Sequence, residues 1–145
     1  MAVDKHATAT WQGDLTTGRG TIDDVGSGVI AGLPVTWASR TGEQADLTSP
    51  EELIAAAHAS CFSMSLASRL GKNETPPDRV HVTATVTFVP GTGVTSSVLA
   101  VEADVPGIEP ARFDELAEDA RVNCPVSRAL AGNVEITLQA TLTSA

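Results

Sequence analysis

The chain has 145 residues, 42% of them apolar, and nine basic against eighteen acidic residues give a formal charge of −9. That length suits one globular domain, 1–145, able to bury a core without staples, and the acidic balance excludes a nucleic-acid partner, which basic clusters must hold. Met1–His6 lacks the apolar core of a secretory signal, and the most apolar run, Leu53–Leu66, falls short of the roughly 20 residues of a membrane span, so neither export nor a membrane is expected.

Short apolar runs from Thr8 to Trp11 and around Gly28–Trp37 alternate with Gly, Asp and Pro punctuation, which predicts a meander of about three strands. Ser49-Pro50-Glu51-Glu52 then supplies an N-cap, a proline at N1 and a glutamate at N3 for a capping box. The helix it opens runs to about Leu70, with Gly71 at the left-handed C′ position, and is apolar enough all round to be central. Arg79–Val89 puts Val80, Val82, Ala84, Val86 and Phe88 on one face and Thr83, Thr85 and Thr87 on the other, a half-buried strand. Ser97–Val105 repeats the pattern and pairs with it through a turn at Pro90–Gly93. A second helix, about Pro110–Val122, sets Phe113, Leu116, Ala117 and Ala120 on one stripe and charged residues outside it. Cys124-Pro125 breaks it, a helical turn Val126–Leu130 follows, and Val134–Leu142 adds a third, antiparallel strand. The fold class is α+β.

Two cysteines, Cys61 and Cys124, are too few for a secreted disulfide scaffold and fit a reducing, cytoplasmic setting, where such a pair is inert or catalytic. Cys124 stands at a helix start, where N–H groups favour a thiolate, so on local grounds it could be the nucleophile. Cys61 lies about 15 Å along its helix from Glu51 and gains nothing from that helix's dipole; if it attacks, a guanidinium must activate it. Among the seven arginines, Arg69 is eight residues farther along the same helix, and Arg112 and Arg121 lie on a solvated face. Of the four others, Arg19 and Arg40 are the candidates, both read as lying at strand ends or in loops before the helix, with Arg40 close enough to the helix start to pair with Glu51 or Glu52. His58 and Cys61 share a helix face, but a zinc site requires three or four ligands and His6 and His81 are not clustered with them. No metal is expected. Phe62, Met64, Leu66 and Leu53 are candidates for an apolar substrate pocket or for plain core.

The segments Trp11–Thr21, Ser49–Met64 with its His58-Ala-Ser-Cys61-Phe ending, Val105–Ile108 and Asn123-Cys-Pro-Val-Ser127 closely resemble the osmotically induced protein C (OsmC) branch of the OsmC and organic hydroperoxide resistance (Ohr) superfamily. The resemblance spans essentially the whole chain. It implies an intertwined homodimer, with antiparallel sheets wrapped around two central helices and active sites at the interface. It implies Cys61 as the peroxidatic cysteine, Cys124 as the resolving one, Arg40 as the basic residue that holds the thiolate and Glu51 as the acidic residue that orients that guanidinium, with Arg19 near the corresponding arginine of the Ohr branch. The implied activity is a thiol-dependent peroxidase acting on organic hydroperoxides, less readily on hydrogen peroxide. It needs no cofactor and is recharged by a dithiol of lipoyl or thioredoxin type. A non-enzymatic ligand-binding or redox-sensing protein is the competing class.

Overall fold

Turn chemistry shapes the amino-terminal third. Strands β1 (Ala7–Gln12), β2 (Arg19–Val25) and β3 (Ala31–Val35) form an antiparallel sheet in that order, as the Gly and Asp punctuation predicts. In the first turn the Asp14 carboxylate accepts from the backbone N–H groups of Thr16 and Thr17 at 2.9 and 2.8 Å. Hydrogen bonds led by those from Thr17 hold its carboxyl well below the usual carboxylate range.

A short helix, α1 (Trp37–Thr41), follows where the alternating pattern suggested strand or loop. Thr36 Oγ1 accepts from the Ser39 N–H at 3.0 Å, the Thr36 N–H donates to Ser39 Oγ at 3.1 Å, and Gly42 ends the helix at φ 86°. Arg40 therefore belongs to a helical turn, a correction to its placement at a strand end or loop.

Helix α2 runs unbroken over Pro50–Lys72. Ser49 caps it as expected, its Oγ accepting from the Glu52 N–H at 3.2 Å, while Thr48 takes up Glu52 Oε1 at 3.4 Å. The stop differs from expectation. Gly71 stays helical, and Glu74 at φ 61° holds the left-handed position, with Thr75 N–H bonded to Leu70 O and Glu74 N–H to Gly71 O, both at 3.0 Å. The turn closes by a Schellman pattern whose left-handed residue stands three positions beyond the glycine.

This computed structural model describes all 145 residues, and they divide into two compact units, Met1–Leu53 and Ile54–Ala145. In the second unit β4 (Arg79–Val89) pairs antiparallel with β5 (Gly93–Asp104). Then α3 (Pro110–Asn123) and α4 (Pro125–Leu130) lead to β6 (Glu135–Ser144). β6 lies parallel to β5, which corrects the expected antiparallel pairing and the all-antiparallel description of the sheets. The reason is the connection. Two helices carry the chain back to the start of β5, a crossover that returns a strand in the same direction, whereas a tight turn would reverse it.

The core lies in this second unit, where Phe62, Leu66 and Leu70 of α2, Leu99, Val101 and Ala103 of β5, and Phe113, Leu116, Ala117 and Ala120 of α3 form one cluster. The α3 stripe is the predicted one. Helix α2 is not buried all round: His58, Phe62, Leu66 and Leu70 are enclosed at helical spacing, while Ala56, Ala57, Ser60 and Met64 face outward. No helix is long and apolar enough to cross a membrane.

Candidate active site

In the first unit, the capping of α1 and α2 brings the last turn of one to the first turn of the other. Arg40 Nε donates to Glu51 Oε1 at 2.9 Å and Nη2 lies 2.8 Å from the same oxygen. The Glu51 side chain is only 8% exposed and its Oε2 is buried without a hydrogen-bond partner. A buried carboxylate persists as an anion only beside a cation, so Glu51 fixes the guanidinium as firmly as the reverse. Beside Arg40 opens a cavity of about 310 Å³, lined chiefly by Trp11, Leu15, Val35, Trp37 and Pro50. Its size and apolar walls suit a small organic molecule.

The Trp11 ring lies over Gly20 of the neighbouring strand. A Cβ added to Gly20 would fall 2.6 Å from Trp11 Cε3 and 3.0 Å from Val35 Cγ2, so the gap is the space this indole occupies. Gly20→Ala is expected to displace the ring at a cost of about 1–3 kcal/mol from overpacking, read in a Trp37→Phe background as a shift of the remaining indole emission and a lower urea midpoint. An unchanged emission would place Trp11 elsewhere.

In the second unit, Cys124 Sγ lies 3.4 Å from Cys61 Sγ, and both thiols are free. Local chemistry pins Cys124. Pro125 disfavours a helical conformation at the preceding residue, and Cys124 takes φ −57° and ψ 133°. Its N–H closes α3 on Ala120 O at 2.9 Å, and its carbonyl opens α4 by accepting from Arg128 N–H at 3.0 Å. It is the deeper sulfur, wholly enclosed, whereas Cys61 is half-buried. The helix expected to be central thus leaves Cys61 the more accessible of the two.

Burial raises the Cys61 thiol above its ordinary value, the backbone N–H of Val126 offsets this only in part, and the neighbouring Cys124 adds to the rise. The N–H contact corrects the view that Cys61 has no backbone help. Its own helix offers none in mid-span, but the first turn of α4 turns an unpaired donor toward it. Sequence reasoning had a partial signal, since Pro125 at N1 announces free N–H groups at 126 without saying what they face. Trp11 and Trp37 were also missed as cavity walls, although Thr36, Ser39 and Gly42 mark the start and stop of α1.

Of the residues considered for a pocket, Phe62 and Leu66 are fully enclosed core, Met64 is 67% exposed, and Leu53 is half-buried. Arg19 is exposed at the start of β2, paired in register with Gln12. Arg69 pairs with Asp119, Arg112 with Glu115 and Arg121 with Glu118. No group of three His, Cys, Asp or Glu side chains is arranged to hold a metal ion.

A helix carrying a half-buried cysteine, faced by a second cysteine at a Pro-started helix, sets two free thiols side by side on a mixed α+β fold. The family model described as OsmC-like protein matches residues 42–139. Escherichia coli "Peroxiredoxin OsmC" is 40% identical over 148 residues, covering 99% of this chain and 100% of the relative. The "Organic hydroperoxide resistance protein" of Xanthomonas axonopodis is 31% identical over 98 residues, covering 67% of this chain and 69% of that protein. A crystal structure of an organic hydroperoxide resistance protein from Elizabethkingia anophelis superposes with a TM-score of 0.70 at 25% identity, covering 99% of this chain and 100% of that one. The chain belongs to the OsmC-like family.

Proposed function

We propose that the protein is a cysteine-based peroxidase that reduces organic hydroperoxides through Cys61 and Cys124. The observation that carries this is the 3.4 Å approach of a half-exposed sulfur to a fully buried one. The accessible Cys61 thiolate attacks the outer peroxide oxygen. The O–O bond breaks, the alkoxide takes a proton and leaves as alcohol, and Cys61 becomes a sulfenic acid. Cys124 then displaces water from that sulfur to form a disulfide, for which the sulfurs must close by about 1.4 Å to reach the bonded length near 2.05 Å. A dithiol donor reopens the bridge by exchange and is itself oxidised. No metal or organic cofactor enters the cycle. The names of the relatives support the same chemistry.

Arg40 is assigned to stabilise the thiolate and orient the peroxide, and Glu51 to hold Arg40. The cavity walled by Trp11, Leu15 and Trp37 suits the organic part of the substrate. Ten residues of unbroken α2 separate Glu51 from Cys61, a rise of about 15 Å. The Arg–Glu pair is therefore assigned to the thiol of a second copy in a homodimer. Two features support a dimer. In the first unit every residue of β1 is exposed, and a small three-stranded sheet with so little packed surface is not stable alone. Helix α2 also leaves Ala56, Ala57 and Met64 uncovered.

The test is steady-state consumption of cumene and tert-butyl hydroperoxides against hydrogen peroxide, with lipoyl, thioredoxin and small-thiol donors. The expected result is turnover with a dithiol and a preference for the organic peroxides. No consumption with any donor, with both thiols unmodified, would leave a ligand-binding or redox-sensing role instead.

A further inference from the structure

His58 is completely buried on α2, three residues before Cys61. Its Nδ1 lies 2.7 Å from Ser97 Oγ of β5 and its Nε2 lies 2.8 Å from Ser127 Oγ of α4. Both serines are buried as well. Burial lowers the imidazole pKa, so the ring is neutral. A neutral ring offers one donor and one acceptor, and two hydroxyls that can play either role satisfy it completely. The trio is a closed polar chain in an otherwise apolar core. Such a chain gains little stability over apolar packing, but its bonds are directional and fix the elements that bear them.

Those elements carry the site. Ser127 is one residue beyond Val126, whose N–H meets the Cys61 sulfur, and three beyond Cys124 at the start of the same helix. The bond from α2 through His58 to Ser127 thus spans the two segments that bear the two sulfurs, and the bond to Ser97 anchors the ring to the sheet.

We infer that His58 is a positioning residue for the resolving step, holding α4 through Ser127 so that Cys124 Sγ stays within reach of the Cys61 sulfenic acid. It rests on the two-cysteine peroxidase chemistry proposed above, and both ring nitrogens of His58 are taken up by the two serines. With α4 held, the sulfenic acid is captured as disulfide. With it released, the sulfenic acid persists and a second peroxide converts it to sulfinic acid, the peroxide supplying the extra oxygen.

The experiment measures, by mass spectrometry of the full-length protein under excess hydroperoxide, the ratio of disulfide to Cys61 sulfinic acid. Four variants dissect the clamp. Ser127→Ala deletes the bond to α4 and Ser97→Ala the bond to the sheet. His58→Asn places an amide where Nδ1 stands and keeps only the Ser97 bond, while His58→Gln places one where Nε2 stands and keeps only the Ser127 bond. Misplacement by a fraction of an ångström slows an intramolecular reaction steeply, so the ratio is expected to fall about tenfold or more in Ser127→Ala and His58→Asn. In His58→Gln and Ser97→Ala it is expected to stay within about threefold of wild type. An unchanged ratio in Ser127→Ala and His58→Asn overturns the inference, and so does an equal fall in all four variants that merely follows their melting temperatures. Wild-type protein that forms no disulfide at all removes the peroxidase chemistry and the inference with it, a result distinct from either.

Discussion

Cys61→Ser is expected to abolish peroxide consumption, whereas Cys124→Ser consumes one equivalent per site and stops. The difference follows from depth and bonding. Cys61 is half-buried and receives the Val126 N–H, while Cys124 is sealed between two helices by its own backbone bonds. A serine hydroxyl is not ionised near neutral pH and does not substitute for a thiolate. In Cys124→Ser the sulfenic acid has no partner 3.4 Å away to condense with, so with one equivalent of peroxide it accumulates and can be trapped by dimedone. Rapid-mixing peroxide consumption and intact mass check both variants. Equal single-turnover yields from the two would reverse or erase the assignment of roles.

The second large effect concerns Arg40. Arg40→Met is expected to lower peroxidase kcat/KM by about 100- to 1,000-fold, the cost of removing a fixed donor from developing negative charge. It also strands the Glu51 carboxylate, already short of one hydrogen bond. Since Arg40 is 35% exposed, the stability loss is set at about 1.5–3 kcal/mol, the worth of a charged hydrogen bond, below the 3–5 kcal/mol of a fully buried pair. Arg40→Met combined with Glu51→Gln should regain much of that stability and none of the activity, which urea denaturation and kinetics together resolve. A mixture of Cys61→Ser and Arg40→Met chains then separates the two subunit assignments. If the pair serves the second copy's thiol, randomly mixed dimers recover about a quarter of wild-type activity, since half are hybrids with one intact site in two. If it serves its own chain's thiol, mixing recovers nothing.

Local rules explain what was legible in advance. β4 begins and ends where its alternation does, because one face meets the core and the other meets water. The buried stripe of α3 is the predicted one for the same reason. Ser49 and Pro125 mark helix starts because caps act within a turn of themselves. The misses have a common cause. α1 is five residues long, too short for periodicity to register, and the parallel course of β6 depends on the crossover and not on its own alternating residues. Gly71 could have ended α2, but the chain leaves the helix at Glu74.

Sequence alone determined the α+β class, the start of the cysteine-bearing helix, the break at Cys124-Pro125 and the choice of Cys61, Cys124, Arg40 and Glu51 as candidates, because each rests on chemistry within a few residues or on a family resemblance. Only the tertiary structure decided that the two sulfurs lie in contact, that Cys61 is the more accessible one, that Arg40 bonds Glu51, that the Val126 N–H faces Cys61 and that His58 bonds Ser97 and Ser127. Contacts across 63 residues between the cysteines, or 69 between His58 and Ser127, depend on how helices pack on a sheet. No pattern confined to one segment encodes that packing.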